Sequence, residues 1–465
     1  MVVAIVAVPA LIKGLGADRF GVLTLAWMAI GYLSLLDFGL GRALTKLVAE
    51  KLAVEAHDEI PGAFWDSLAL LSGVGLLGGL LVWVSSNWIV GSMLKIPAGL
   101  RGETLTCFRL IAGAIPAVVM ATGLRGFLEA HQRFRPVNIV RTLVGISGFL
   151  IPVSILHFSH RVDFTVAILS GIRVITLIAF FCLCLNVNPM LWRQRKFGAT
   201  PIGPLLRFGG WITFDNLIGP LMVSIDRFII GTVLSVSLLT YYVVPQEMIT
   251  KLLIIPMALQ QVIFPAFSGM IDRRNRDAGR LYRYSTDVVF LALFPVTLVF
   301  VVFAQNVLGL WLGASFAASS YRVLQVLAIG VLANGMAHVP SSMIQAGGHP
   351  ELNAKLHSIE LPIYVLCAWW MIAHYGILGA AAAWTLRVFA DSVAFFLIGY
   401  RVMPCRPFSF GLTFAGFALI GGAFFLTTYG ANFLTRMTFS VLAMCVIAVI
   451  SWPVLSAVAR RAVEP

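Results

Sequence analysis

The chain shows neither the two-residue alternation of a half-buried strand nor the narrow apolar stripe of a surface helix. Apolar runs of about 20 residues or more follow one another, separated by short polar breaks, and that is the length an α-helix needs to cross ~30 Å of hydrocarbon. A helix pairs its own backbone groups, so a run that is apolar on every side is stable in lipid. A β-barrel would instead show ~10-residue segments of alternating polarity. Fourteen segments are predicted, at roughly 1–13, 19–49, 62–94, 104–131, 136–159, 163–187, 203–234, 240–270, 280–310, 320–346, 352–375, 377–403, 409–430 and 434–459. The first, VVAIVAVPALI, is too short to span without help. It raises the expectation that about ten to twenty residues precede it in the natural protein, or that the start codon was assigned late.

Composition points the same way. Of 465 residues 59% are hydrophobic and 11% charged, with mean hydropathy +0.93, whereas a soluble domain carries about 25% charged residues. An all-α integral membrane protein is expected. The net charge of +13 is mostly a matter of topology. With the N-terminus inside, the inner loops and C-terminal tail hold 20 Lys/Arg, including Arg193, Arg195, Lys196 and the cluster from Arg273 to Arg283. The outer loops hold six: Lys13, Arg19, Lys95, Arg101, Arg161 and Arg436. That asymmetry is the positive-inside rule. It places both termini in the cytoplasm, and it explains the basic loops without nucleic acid. The six cysteines lie in or beside apolar segments. Cys182 and Cys184, two apart, fall on different helix faces and suit no metal site. No cofactor, disulfide framework, cleavable signal peptide or soluble domain is visible in the sequence.

Laid on itself with an offset of 214 residues, the chain matches without gaps from about 107–174 onto 321–388. Pro136 falls on Pro350, Arg141 on Lys355, His160 on His374, and Arg173-Val174 on Arg387-Val388. The offset spans six segments, an even number, so the repeat is parallel, related by an axis along the membrane normal. The expected organisation is a six-helix lobe at 1–187, a basic cytoplasmic linker at 188–204, a second six-helix lobe at 205–403, and two appended spans at 404–465.

Four stretches carry a family likeness: GLGADRFGVLTLAWMAIGYLSLLDFGLGRALTKLVAE (14–50), RGFLEAHQRF (125–134), DRFIIGTVLSVSLLTYY (226–242) and GHPELNAKLHSIELPIYVLCAWW (348–370). The chain resembles the Wzx-type polysaccharide flippases of the multidrug/oligosaccharidyl-lipid/polysaccharide (MOP) superfamily. The resemblance implies two pseudo-symmetric, MATE-like six-helix bundles around a central cavity that opens alternately to either side. It also implies an oligosaccharide carried on a polyprenyl phosphate or diphosphate as cargo.

Such cargo poses a physical problem: sugar and phosphates must cross hydrocarbon while the isoprenoid stays in it. Arginine suits a cavity for this task, because its fork pairs phosphate oxygens bidentately and keeps its charge when desolvated. Arg173 and Arg387 are the leading candidates, each about ten residues into the last helix of its lobe and hence ~15 Å deep. An interhelical ion pair or carbonyl clamp is the structural alternative. Lys251, one turn after Glu247, is either a neutralised bridge or a cation whose acidic partner takes up a proton when cargo displaces it. Arg387 and Asp391 repeat the four-residue spacing. Arg227, beside Asp226, suits an outer gate contact or the cargo. Arg141 and Lys355 lie close enough to the inner boundary to snorkel or to capture substrate.

For a coupling ion, proton or sodium, the candidates are Asp37, Glu247, Glu360 and Asp391. Asp37 lies among Gly39, Gly41 and Arg42, and Glu360 precedes Pro362, where a carbonyl loses its donor. Pro256 is the first hinge candidate. Membrane lipids and polysaccharide polymerase or export proteins are the expected neighbours. No Walker, HExxH or GxSxG context is present and the outer loops are short, which argues against an enzyme. A peptidoglycan-precursor flippase and a MATE-type drug/cation antiporter remain as alternatives. The antiporter is expected to line its cavity with carboxylates rather than cations.

Overall fold

The computed structural model describes residues 2–33, 40–193, 222, 224–271 and 276–463. Its described residues form helices joined by short turns, in the order α1 (Val2–Leu33), α2 (Leu40–Ala53), α3 (Ile60–Trp88), α4 (Arg101–Ala130), α5 (Phe134–Ile155), α6 (Val162–Val187), α7 (Met190–Arg193), α8 (224–233), α9 (Val236–Thr250), α10 (Ile254–Ile271), α11 (Arg276–Leu312), α12 (Ala314–Ala346), α13 (Pro350–Val402), α14 (Phe410–Thr428) and α15 (Phe433–Val463). Among the described residues, ten helical stretches are long and apolar enough to cross a membrane.

Two compact units form, Met1–Thr240 and Tyr241–Pro465. In the first, α4 is the central helix, packed against α2, α3 and α6. Its core joins Leu44, Ile60, Phe64, Leu124, Phe127 and Phe180. Residues 231–240 fold with this unit: Thr240 Oγ1 donates to the Ala17 carbonyl at 2.7 Å, and the Ser237 hydroxyl donates to Asp18. In the second unit α12 is the enclosed helix, between α11, α10 and α13. By contrast α5 and α15 turn most of their apolar side chains outward, among them Leu143, Val449 and Trp452. That outward apolar surface is what lipid solvates.

Run length predicts most boundaries to within a few residues, because bilayer thickness sets it. The gap between 375 and 377 coincides with a break in α13 at Gly376 (φ 62), a left-handed conformation that a Cβ disfavours. Gly16 (φ 75) breaks α1 between the first two predicted segments in the same way. The segment 240–270 is interrupted, with a 3₁₀ turn at Lys251–Leu253 between α9 and α10. Pro256 therefore lies in the first turn of α10 rather than mid-helix. Proline lacks the N–H that would bond the carbonyl four residues back, so the irregular turn falls at Leu252.

The elements carry landmarks at the offset of the expected repeat. α6 begins at Val162, and the break that opens the second arm of α13 lies at Gly376, 214 residues later (376 − 162). Arg173 and Arg387 both come eleven residues after those points (162 to 173, 376 to 387), about 16 Å along the helix axis. Pro136 and Pro350 both sit in a first helical turn, where a missing N–H costs nothing.

Candidate functional site

In the first unit, α6 is fixed at its entry by a charged collar. Arg161 Nη2 lies 2.6 Å from Asp163. Glu103 accepts from Arg19 Nε at 3.3 Å and from the backbone N–H of Val162. The hydrogen bond to Asp163 raises the Arg161 guanidinium above its already high ordinary pKa. Farther along, Cys184 Sγ donates to the Leu124 carbonyl at 3.4 Å and ties α6 to α4. Between these anchors lies Arg173, half-buried, with no hydrogen bond or ion pair to any described residue. The ion-pair and carbonyl-clamp alternatives therefore have no counterpart at Arg173 among the described residues.

In the second unit, the second arm of α13 is held to α12 by two hydroxyls. Thr385 Oγ1 donates to the Val326 carbonyl at 3.0 Å, and Ser392 Oγ to the Ala333 carbonyl at 2.9 Å. Seven residues apart, they lie on one stripe of the helix. Arg387 and Asp391 share a different stripe. The Arg387 guanidinium carbon stands 5.1 Å from the Tyr364 ring centroid, a cation–π contact between the two arms of α13, and its buried Nε has no hydrogen-bond partner. No Arg387–Asp391 ion pair forms. Asp391 Oδ1 instead lies 3.6 Å from His357 Nε2. The two oxygens of Glu360, one turn after His357, are buried without a donor. Donor atoms of His357, Glu360 and Asp391 all lie within 4.8 Å of one another. The structure thus gathers two carboxylates, an imidazole and a guanidinium in one pocket of the second unit, with Arg387 acting electrostatically on Glu360.

The remaining predicted cations have other surroundings. Lys251 pairs with Glu247 at 2.9 Å, both half-exposed. Asp226 is fully buried and accepts the backbone N–H of Arg227 at 2.7 Å. Arg141 and Lys355 are exposed, each within two turns of its helix start, as an interfacial anchor or capture residue would be. Asp37 lies outside the described residues. His357 and Tyr364 escaped sequence reasoning. His357 sits three residues before Glu360, a spacing that shares a helix face, and that was the available signal. The seam at Asp18, Lys95 and Ser237 was equally silent. There Lys95 donates to the Val233 carbonyl, and its backbone N–H bonds Gly231 O at 2.9 Å.

The family of polysaccharide biosynthesis proteins matches residues 14–321. A putative O-antigen transporter from Shigella flexneri is 31% identical over 394 residues, covering 84% of this chain and 92% of that one. The lipopolysaccharide biosynthesis protein WzxC of Escherichia coli is 21% identical, over 75% of this chain and 67% of its own length. Two solved structures share the fold. A multidrug resistance MATE family transporter of the MOP superfamily, in an inward-facing conformation, superposes with a TM-score of 0.71 at 16% identity over 86% of this chain and 94% of its own. The lipid II flippase MurJ, inward closed, does so with 0.65 at 12% identity, covering 97% of both chains.

Proposed function

The chain belongs to the family of polysaccharide biosynthesis proteins, and from that premise we propose that it is an alternating-access flippase. Its cargo is a polyprenyl-(di)phosphate-linked oligosaccharide, moved across the bacterial inner membrane for surface polysaccharide synthesis. Both termini are cytoplasmic, residues 1–187 and 205–403 supply the two six-helix lobes, with 231–240 bonded to the first through Ala17 and Asp18, and 404–465 are appended spans. It works as a transporter, without covalent chemistry, beside polymerase and export proteins.

One observation carries this reading. Two arginines occupy the same register in the last helix of each repeat, about 16 Å into an apolar span, and neither has a carboxylate partner at ion-pair distance among the described residues. A guanidinium at the bilayer centre costs about 2.5–3.5 kcal/mol on insertion scales. Such a charge is tolerated where it faces an anion. Phosphate supplies one, and its oxygens match the guanidinium fork. Arg141 and Lys355 meet the head group at the inner boundary, Arg173 and Arg387 hold it in transit, and Lys251 and Arg227 line the remaining path. Glu247, Glu360 and Asp391 are the carboxylates assigned to ion coupling. Because the deep positive charge of Arg173 has no counter-ion among the described residues, an anionic cargo is favoured over the cationic drugs of an antiporter.

Alternation requires an outer contact that forms and breaks. The seam of Asp18 and Lys95 with residues 231–240 supports that role, since it ties two outer turns of the first lobe, before and after α3, to the chain entering α9 through a few polar bonds. The test is depletion in the native host. Polyprenyl-linked oligosaccharide is expected to build up on the inner leaflet while surface polysaccharide falls. Normal surface polysaccharide, or accumulation of peptidoglycan precursor instead, refutes the assignment.

A further inference from the structure

The pocket of His357, Glu360, Asp391 and Arg387 has unbalanced charge. Asp391 keeps only 9% of its side chain exposed and its Oδ1 has no hydrogen-bond donor. Both oxygens of Glu360 are also buried without one. Buried carboxylate oxygens without donors carry a desolvation penalty that a neighbouring charge or a proton must offset. Arg387 offsets one of the two negative charges, and His357 is neutral unless protonated. The other groups facing the pocket add no fixed charge. His338 of α12, which lies 3.3 Å from Gln260 Oε1, interacts electrostatically with Asp391. Tyr364 supplies its ring face to Arg387, and the Phe395 ring stands edge-on to His357 with 5.7 Å between centroids. A single added positive charge makes the pocket neutral, whereas a divalent ion would leave it positive. Hard cations prefer all-oxygen cages, and one corner of this cluster is an imidazole nitrogen, 3.6 Å from Asp391.

We propose that His357, Glu360 and Asp391 form a proton-binding group that takes up a second proton when the cargo's phosphate occupies Arg387, so that proton and lipid-linked anion bind together. This rests on Arg387 as the phosphate-binding residue of the proposed flippase. The physical route is short. At rest, one proton and the Arg387 charge balance two carboxylates. Phosphate engages Arg387 and cancels its charge, so one of the two carboxylates is left without a compensating cation. The resting proton already neutralises one of the two, and the other, buried without a donor or a cation, favours its protonated form, so a second proton is taken up by the group. By reciprocity the proton raises phosphate affinity by the same factor. Cargo and proton therefore reinforce each other here, the opposite of an exchange site for which they compete.

The experiment uses the full-length protein in nanodiscs, with a short polyprenyl diphosphate as probe. In weakly buffered solution with a pH dye, binding is expected to draw about one proton per protein from the medium. Affinity is expected to strengthen up to tenfold per unit of falling pH across the group's titration range, the slope of a one-proton linkage. Glu360→Gln with Asp391→Asn should bind the probe without proton uptake and with a flattened slope, which also subtracts titration of the probe's own phosphate. Arg387→Lys should keep the uptake. Probe binding without proton uptake by the wild type overturns the inference and leaves the flippase reading intact. So does affinity that weakens as pH falls, or uptake that survives in the double variant. Failure of the wild type to bind the probe at any pH overturns both.

Discussion

Consider Arg173→Ala. A structural arginine in an apolar span holds a partner, and removing one member of a buried ion pair typically costs 3–5 kcal/mol, because the other is left unpaired. Arg173 has no hydrogen bond or ion pair to any described residue, so its removal strands nothing. The substitution also relieves the insertion cost of about 2.5–3.5 kcal/mol. Thermal stability is therefore expected to hold or rise, while transport falls. A hydrogen bond to a charged group is worth about 1.5–3 kcal/mol, so loss of one guanidinium–phosphate contact weakens cargo binding by about 10- to 150-fold at 1.4 kcal/mol per decade. Arg173→Lys keeps the charge without the fork and should retain partial function. The assay pairs surface polysaccharide per unit of membrane-inserted protein with the unfolding temperature of the purified variant. An alanine variant that exports normally refutes the phosphate role. One that loses function only because it unfolds shows a structural role instead.

The outer seam offers a second test: Asp18→Cys with Ser237→Cys should stop export on oxidation and recover on reduction, and export under oxidation shows that the seam never opens. Val326 and Ala333 accept hydroxyls from Thr385 and Ser392, so Thr385→Val with Ser392→Ala should lower stability by about 1–2 kcal/mol in total, read by denaturant unfolding in detergent. Gly376→Ala places a Cβ at φ 62 and should cost about 1–2 kcal/mol, with export falling because the arm bearing Arg387 is re-aimed. His131, just past α4, donates from Nδ1 to the Phe127 carbonyl at 3.0 Å, and burial pulls its pKa below the ordinary histidine value. The unfolded chain then takes the proton first as pH drops below about 6.5. Stability present at neutral pH is therefore expected to decline through that window, and His131→Phe should flatten the decline in a thermal scan.

Much of the fold was legible in the chain because bilayer thickness dictates run length. Segment 163–187 became Val162–Val187, and the gap between 375 and 377 became the turn at Gly376. Glycine alone marked that place, since only the absence of a Cβ makes a left-handed residue cheap inside a helix. The deep arginines were equally plain, as charges in apolar runs separated by the repeat offset of 214. Which groups meet was another matter. Four-residue spacing made Asp391 a partner for Arg387, yet the arginine lies over Tyr364 and Asp391 faces His357, 34 positions earlier (391 − 357). That choice depends on how far each arm of α13 is rotated about its axis when Thr385 and Ser392 reach the carbonyls of α12, and linear spacing carries no record of a rotation set by a neighbouring helix. Hydrophobic length, charge placement and glycine positions were properties of the chain itself; the pairing of buried charges came from packing, because the helices' rotations bring together side chains that the sequence keeps far apart.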